Sequence, residues 1–359
     1  MANGGFKAFA YEVTGLGSGA PLEDKMTRCK EVLAALGDGL VGLDQGWSYD
    51  DGKTASGGTA ILSGDLGSPQ SYSLYFRHTS GAKMMLTYNV YGVGFDYTAF
   101  VPTNGTGSWR NTASGGLAVS IAPASCGEFD PYAANPVPGD VPLLLGTAGS
   151  SSYSNATESF LSSGETTEIF KYFLIVRGTQ VIILSKRKND AGNFNIIFAG
   201  DVVDCAHETD AHDYSRFASF SSITGSPTSE KSAQYHGSSY YAFSSYSYET
   251  AQFYSCAGAV MRGSYNGCFV RPVQEALDCT GTAANVVRWF PVMLYAEGTT
   301  DGSCVMENDG FKGYVNHEVC CITKVNNLAV GQLLDGGNFI YLGGGLIIGW
   351  DPANEVTLF

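Results

Sequence analysis

A run of apolar, strand-like stretches between residues 170 and 203 is the feature that most constrains this fold. The segment FKYFLIVRGTQVIILSKRKNDAGNFNIIFAGDVV alternates stretches of β-branched and aromatic residues with the short polar segments RGT and NDAGN. Gly, Asn and Asp accept the backbone conformations that tight turns require, so these short segments indicate turns. The segment therefore predicts an antiparallel meander, and each strand is long enough for one layer of a β-sandwich.

Most of the remaining chain has the same character. Short apolar or alternating stretches are bounded by turn residues, and they include TAILSG, SYSLYFRH, KMMLTYNVYG, LAVSIAP, VVRWFPVMLYA, VNHEVCCITKV and FIYLGGGLIIGW. The composition of 46 Gly, 21 Tyr and 20 Phe is typical of all-β proteins with many turns. Aromatic residues run through the whole chain, which argues against intrinsic disorder.

One segment, APLEDKMTRCKEVLAALGDGL, predicts a helix. Pro21 stands near its start, and Glu23 and Asp24 occupy the first turn, where negative charge is favoured. Apolar residues then recur at helical spacing, at Met26, Cys29, Leu33 and Leu36. With Gly37 as the stop signal, the pattern predicts a helix over residues 22–36 that lays its apolar stripe on a sheet.

The chain divides into three predicted units. Residues 131–149 open with a proline-rich stretch that is typical of a stiff connection between units. We predict an N-terminal unit of helix and strands over 1–130, a meander unit over 150–223 and a C-terminal β unit over 224–359. The predicted class is mainly β, with two or three antiparallel β-sandwich-like units and one N-terminal helix.

Charge and cysteine content indicate where such a chain works. A formal net charge of −14 disfavours binding to phosphate backbones and to anionic membrane faces. The N-terminus lacks the pattern of a signal peptide, and the apolar runs are too short to cross a bilayer. Nine cysteines at irregular spacing predict mostly reduced thiols in a protein made in a cytoplasm. We expect neither nucleic acid nor membrane as a partner.

The segment DCAHETDAHD, residues 204–213, concentrates groups that could bind a metal. Cys205, His207 and His212 are the candidate ligands, and an aspartate or a distant residue would have to complete the set. Their Cys-x-His-x4-His spacing matches no standard structural zinc pattern. The alternative is a strand that ends in an acidic surface loop, with both histidines solvated or bound to backbone groups. We favour the loop and predict no metal.

Other motifs give weak signals for chemistry. GLGSGA, residues 15–20, stands between a strand and the helix, as a dinucleotide-binding loop would, but its glycine spacing is imperfect and no alternating β and α pattern follows. We interpret it as a turn before the helix. The chain has no G-x-S-x-G nucleophile elbow, and the pair Asp50–Asp51 lies beside Gly52 in a turn composition. Glycosidase carboxylates have no fixed spacing, so a hydrolase stays open as an alternative. We predict no enzymatic activity and no cofactor.

A tyrosine-rich stretch over residues 235–254 is the best candidate surface for recognition. It contains six tyrosines and two phenylalanines, and the candidate contact residues are Tyr240, Tyr241, Tyr246 and Tyr248. Exposed aromatic side chains on a β surface stack on sugars or form protein interfaces. The alternative is core packing on alternate strand faces. We favour the core or a subunit interface over glycan binding.

Several of these features in this order resemble β-rich virion structural proteins of tailed bacteriophages, including Mu-like ones. The stretches that carry the resemblance are GLDQGWSYD after the helix, then YSLYFRHTSGAKMMLTYNVYG, FKYFLIVRGTQVIIL, FAGDVVDCAHETDAHDY, DGFKGYVNHEVC and GGNFIYLGGGLIIGWDPAN. The cysteine content and the tyrosine-rich stretch depart from that class. The resemblance covers most of the chain as an order of features, and it brings no catalytic residues.

The resemblance implies a non-enzymatic structural subunit of the virion, in the tail, collar or baseplate. Such a subunit is made in the host cytoplasm and acts by self-association into a homo-oligomer and by contact with other virion proteins. Two alternatives remain open from the sequence. One is a tail protein that binds a receptor or a host surface glycan through the tyrosine-rich surface, and the other is a polysaccharide hydrolase.

Overall fold

A computed structural model of the chain shows a strand-rich protein whose paired strands are antiparallel. Its one α-helix within the described residues is α1 (Leu22–Gly42), near the N-terminus. This confirms the predicted mainly β class with an N-terminal helix. The structure describes residues 5–17, 19–50, 60–62, 71–89, 93–95, 109–111, 116–122, 144–148, 167–187, 194–201, 203–204, 217–224, 251–254, 260–262, 268–271, 289–291, 293–296, 310–314, 319–322, 329, 331–343 and 346–358.

The largest sheet has seven strands and contains the predicted meander. In spatial order its strands are β1 (Lys7–Thr14), β10 (Ile169–Arg177), β11 (Gln180–Arg187), β12 (Phe194–Asp201), β14 (Phe217–Thr224), β15 (Ala251–Tyr254) and β16 (Val260–Arg262). The antiparallel pairs β10–β11 and β11–β12 confirm the meander. Gly178 makes the first turn with a φ of +56°, a left-handed conformation that glycine adopts without strain. The predicted NDAGN turn lies outside the described residues.

The N-terminal strand β1 is an edge strand of this sheet. It pairs with β10 from Lys7↔Val176 to Thr14↔Ile169. An ion pair of 2.7 Å between the Lys171 ammonium and a Glu12 carboxylate oxygen joins the two strands across this ladder. The sheet therefore joins residues from both sides of the predicted connection at 131–149. The division into units 1–130, 150–223 and 224–359 stays a prediction.

A six-stranded sheet packs against the seven-stranded one. Its strands in order are β2 (Trp47–Tyr49), β4 (Ser71–His78), β5 (Lys83–Asn89), β8 (Gly116–Ala122) and β9 (Leu144–Ala148), and β3 (Ala60–Leu62) pairs with β4. Strands β8 and β9 lie against β12 and β14 of the larger sheet. Strands β3, β4, β5 and β8 match stretches that the sequence predicted as strands. Strand β2 was not predicted, and β9 lies within residues 131–149, which the sequence predicted as a connection.

Three smaller sheets complete the described strands. A four-stranded sheet consists of β13 (Val203–Asp204), β20 (Gly310–Tyr314), β19 (Met293–Ala296) and β17 (Cys268–Arg271). A five-stranded sheet consists of β18 (Trp289–Pro291), β21 (Val319–Ile322), β24 (Leu346–Gly349), β23 (Phe339–Gly343) and β22 (Leu333–Leu334). The remaining pair is β6 (Val93–Phe95) with β7 (Trp109–Asn111).

One core is shared by α1 and the two large sheets. The helix contacts β1 and β10 of the larger sheet and β2, β4 and β5 of the other. Its predicted apolar stripe is confirmed, since Cys29, Leu33 and Leu36 are fully buried. The phenol oxygens of Tyr88 and Tyr172 lie 2.9 Å apart in this core and link the two sheets by a hydrogen bond.

The predicted end of the helix is wrong, because α1 continues through Gly37 to Gly42. Gly37 and Gly39 are contact sites for neighbouring elements, where a side chain would not fit. A Cβ on Gly37 would lie 2.7 Å from the Tyr49 hydroxyl, and one on Gly39 would lie 2.4 Å from the Phe9 ring. Glycine at these positions lets the helix approach both sheets closely, which is worth more than the lost helix propensity.

Strands β10 and β11 of the seven-stranded sheet are buried on both faces. Alternate residues of β10 and β11, among them Leu174 and Ile183, belong to the shared core. The residues between them face the other way and are also at most 1% exposed, at Phe173, Ile175, Ile182 and Leu184. Burial on both faces explains why YFLIV and VIIL are continuous apolar runs rather than alternating ones.

The glycine-rich segment before α1 forms a turn, as predicted. The N–H of Ala20 donates to the carbonyl of Gly17 at 3.2 Å, and Gly17 has a φ of +77°. Pro21 then occupies the N-cap position of the helix. The sheets that surround the helix are antiparallel, so the segment does not stand in a parallel β-α-β unit.

Candidate functional site

The candidate metal ligands and the candidate contact tyrosines lie outside the described residues. Strand β13 ends at Asp204 and β14 begins at Phe217, so the segment DCAHETDAHD lies in the connection between two strands of different sheets. The candidate metal ligands within that connection are Cys205, His207 and His212. The candidate contact residues Tyr240, Tyr241, Tyr246 and Tyr248 lie between β14 and β15. Both interpretations stay predictions.

A polar cluster of the described residues lies where three turns meet, and we call it the Trp47 junction. It consists of Gln45, Trp47, His78, Ser80 and Gly178. These residues lie in or directly beside the turns between α1 and β2, between β4 and β5, and between β10 and β11. The junction therefore ties the helix to the ends of both large sheets.

His78 forms hydrogen bonds through both ring nitrogens, and the one from Nε2 joins the first two turns. The backbone N–H of Ser80 donates to Nδ1 at 3.1 Å, so Nδ1 is the acceptor nitrogen. Nε2 lies 3.0 Å from the carbonyl oxygen of Gln45, which can only accept, so Nε2 carries the proton. The arrangement assigns the neutral Nε2–H tautomer. Neither nitrogen is available to a metal or a substrate without breaking one of these bonds.

Trp47 and Gln45 attach the third turn. The indole Nε1–H of Trp47 donates to the carbonyl of Gly178 at 2.8 Å, and the N–H of Gly178 donates to Gln45 Oε1 at 3.4 Å. The Trp47 ring also meets the His78 ring edge to face, with 5.0 Å between centroids. The backbone N–H and C=O of Gly178 therefore both bind side chains of the segment that follows α1.

A second group of bonds extends the junction to the end of β12. The hydroxyl of Thr179 donates to an Asp201 carboxylate oxygen, and the Gln180 side chain donates to the Asp201 carbonyl at 2.9 Å. Gln180 is only 3% exposed. A Cβ on Gly200 would lie 2.6 Å from the Gln180 Cα, so glycine is needed for β12 to pass this close. The buried amide thus fixes the β11–β12 register at its end.

These bonds make the junction a structural tie. The side chains of Gln45, Trp47 and His78 each bind a backbone group from another segment, whereas Ser80 binds within its own turn. Among the described residues, no cluster of three or more His, Cys, Asp or Glu side chains is arranged to bind a metal ion. The Ser80 hydroxyl lies 2.8 Å from His78 Nδ1, a contact between a hydroxyl and a possible base. The other ring nitrogen faces the Gln45 backbone carbonyl rather than a carboxylate. The hydrogen bonds that join separate segments of the chain give the junction rigidity.

Two titratable side chains beside the helix have shifted pKa values. Burial, followed by the hydrogen bond of 2.7 Å to Asp38, raises the pKa of the Tyr49 phenol well above its ordinary value. Burial alone raises the pKa of the Cys29 thiol. A raised pKa keeps both groups protonated and unreactive at neutral pH, the opposite of what a nucleophile needs.

The outer edge of β1 is the second feature with functional potential. Odd-numbered residues of β1 direct their backbone groups toward β10, as the bond of 2.7 Å from Gly15 N to Glu168 O shows for the residue that follows β1. Even-numbered residues therefore direct their N–H and C=O groups to the outer edge. An outer edge of this kind is a template for pairing with another strand.

The C-terminal segment of residues 350–358, which we call the strap, covers the start of this edge. Phe6 donates its N–H to the Gly349 carbonyl at 3.1 Å and accepts from the Asp351 N–H at 3.1 Å. The Asn354 amide completes the cover, since its Oδ1 accepts from Ala8 N at 2.9 Å and its Nδ2 donates to Phe6 O at 2.8 Å. The Asn354 side chain thus substitutes for a paired strand.

Apolar burial supports the strap. Phe6 and Trp350 are 0% and 5% exposed, and Leu358 is 2% exposed. A Cβ on Gly5 would lie 2.4 Å from the Trp350 backbone, so the two chain ends run in direct contact. In the sequence, WDPAN contributes only to the resemblance to phage virion proteins. A lone asparagine carries no spacing signal that would identify it as a strand cap.

Within the part of the chain that the structure describes, no helix has the length and apolar character needed to cross a membrane. Comparison with known proteins finds no matching family model, no matching curated protein and no matching solved structure.

Proposed function

We propose that the chain is a non-enzymatic structural subunit of a tailed bacteriophage particle, in its tail, collar or baseplate. It acts by self-association and by contact with neighbouring virion proteins. The observation that carries the proposal is the Trp47 junction, where the polar side chains bind other segments of the same chain. Such a site supports a rigid scaffold, which is what an assembly subunit needs.

The proposed architecture is two or three antiparallel β-sandwich-like units with one N-terminal helix. The face-to-face packing of the two large sheets supports the first of these units. The five-stranded and four-stranded sheets of the C-terminal part are candidates for the others. A ring with rotational symmetry is the simplest closed assembly for such subunits.

The placement in a phage particle rests on the order of sequence features described above. Trp47, which that order of features included, lies at the centre of the junction. The net charge of −14 keeps a subunit soluble at high local concentration before assembly and disfavours direct contact with packaged nucleic acid. The proposed partners are other virion structural proteins and further copies of this chain.

Native mass spectrometry of the purified full chain, under mild reduction and without chelator, tests the proposal. One spectrum reports subunit number and bound metal together. The expected result is a closed oligomer, such as a trimer, hexamer or dodecamer, with the mass of metal-free chains. A monomer at every protein concentration would contradict self-association.

The same spectrum tests whether residues 204–213 bind a metal. A monomer that carries one zinc mass, lost in the variant His207→Ala, would place a metal site there and would contradict the proposal. A separate assay tests the hydrolase alternative, because release of oligosaccharide from host capsule or wall glycans would show an enzyme and would refute the structural assignment.

A tail protein that binds a host glycan is the second candidate function, favoured by the tyrosine-rich sequence of residues 235–254. Replacing Tyr246 and Tyr248 together with alanine is expected to abolish cell binding while the oligomer persists, if this candidate is correct. Loss of the oligomer itself would instead assign these tyrosines to the core or to a subunit interface.

A further inference from the structure

We propose that the strap, residues 350–358, blocks the outer edge of β1, and that its release lets this edge pair with the same edge of a second copy. The strap is thus an autoinhibitory contact that prevents association through the β1 edge. This inference rests on the proposed function for its biological purpose. Its test compares variants with the wild type and does not require that the wild type forms a ring.

The strap covers only part of the edge that β1 presents. The strap binds the Phe6 carbonyl through Asp351 and Asn354, and it binds the Ala8 N–H through Asn354, while Gly349 beside the strap binds the Phe6 N–H. Arg28 donates to the Thr14 carbonyl at 3.1 Å at the far end of the strand. Ala10 lies between them and is exposed, and no described residue hydrogen-bonds to its outward N–H and C=O. A second strand would bind the groups that the strap binds and those of Ala10 as well.

The strap is held by few bonds for a segment that protects a sheet edge. It forms a single parallel bridge, Phe6↔Trp350, and the rest of its hold on the strand backbone comes from one side chain, Asn354. Edge strands without such a cover pair readily with other chains. Asn354 is therefore the group whose loss should open the edge with the least change elsewhere.

The edge of β1 is compatible with a copy of itself. In an antiparallel pair centred on Ala10, Glu12 of one copy lies opposite Ala8 of the other, and Lys7 lies opposite Val13. No like charges face each other in this register, which removes the usual penalty against self-pairing. The contact is isologous, so it joins two copies around a two-fold axis.

The experiment uses the full chain with Asn354→Ala. This substitution removes both hydrogen bonds of the Asn354 amide and changes no backbone atom of the strap. Native mass spectrometry and light scattering are expected to show a species of at least twice the wild-type mass. Glu355→Ala is the matched control, because Glu355 is the exposed neighbour in the strap and makes no described bond to β1. It is expected to keep the wild-type mass.

A proline at position 10 tests which edge makes the new contact. The Ala10 N–H points away from β10, so Ala10→Pro removes an outward donor while the β1–β10 ladder is kept. The double variant with Asn354→Ala and Ala10→Pro is expected to return to the wild-type mass. A double variant that stays enlarged would show association through another surface and would overturn the proposal.

Two further outcomes are decisive. A folded Asn354→Ala chain with the wild-type mass at all concentrations would show that the strap is no barrier, whatever oligomer the wild type forms.

If that variant does not fold, Asn354→Asp replaces it, since the carboxylate keeps the acceptor for Ala8 N and loses the donor to Phe6 O. A partial shift to doubled mass, abolished by Ala10→Pro, supports the proposal, and an unchanged mass refutes it. Failure of the proposed function, by contrast, would appear in the wild-type spectrum alone.

Discussion

Replacing Gly39 with alanine should destabilise the protein, although alanine is the better helix former. The added Cβ would lie 2.4, 2.6 and 2.7 Å from three atoms of the Phe9 ring, and ordinary contact begins at 3.4 Å. Three overlaps with one ring are not relieved by moving a single atom, so either Phe9 or the helix must shift by about 1 Å. Overpacking of this kind costs about 3 kcal/mol, and alanine recovers about 1 kcal/mol of helix propensity. The net expected loss in the free energy of unfolding is therefore about 2 kcal/mol.

Gly42→Ala is the matched control for this variant. Gly42 is in the same helix, and a Cβ there meets nothing within 4 Å. This variant should keep the wild-type stability or gain up to about 1 kcal/mol. Guanidinium unfolding followed by circular dichroism measures both variants against the wild type. If the two variants have equal stability, the close approach of α1 to β1 does not explain why glycine occupies position 39.

Three further predictions concern the helix and the junction. Trp47→Phe leaves the Gly178 carbonyl without its indole donor and should lower the free energy of unfolding by about 1 to 3 kcal/mol in the same assay; an unchanged value would show that the bond is not needed. Iodoacetamide at pH 8 should leave Cys29 unmodified in the folded chain and modify it after unfolding, because burial raises the pKa of its thiol, and peptide mass spectrometry reads the difference. The raised pKa of Tyr49 means that the folded chain holds this proton more tightly than the unfolded chain. Stability should therefore fall as pH rises above the unfolded value of about 10, and it should fall less in Tyr49→Phe, whereas parallel pH curves for the two proteins would refute the role of Tyr49 and its bond to Asp38.

Local signals in the sequence predicted local structure well. Pro21 and the two carboxylates after it located the start of α1, and the apolar runs around RGT located β10 and β11 with their turn. The end of the helix was mispredicted because glycine has two uses that sequence alone does not separate. It ends helices where the backbone turns left-handed, and it permits close packing where the backbone stays helical, as at Gly37 and Gly39.

The long-range contacts had no local signal. Strand β1 pairs with β10 across more than 150 residues, and Phe6 meets Trp350 at the other end of the chain. Backbone hydrogen bonds carry these pairings, and every non-proline residue offers the same backbone donor and acceptor. For the same reason Asn354 could not be identified from the sequence. Its amide matters through the strand edge it meets, which depends on where the whole chain places residues 6 and 8.

The position of β1 gives the strap its importance. Strands β10 and β11 are buried on both faces, and β1 beside them forms an edge of their sheet. An edge strand is where the backbone of a sheet can still meet another chain. At the β1 edge the strap binds the Phe6 carbonyl and the Ala8 N–H on one side of Ala10, and Arg28 binds the Thr14 carbonyl on the other. An assembly subunit that associates through chosen surfaces must keep such an edge from pairing at random, because edge pairing between identical sheets adds strands without regard to the intended symmetry. The strap contacts the β1 backbone through one parallel bridge and one asparagine, so it protects the edge and still leaves it within reach of a partner strand. The variants at positions 354 and 10 decide whether a second copy pairs with this edge.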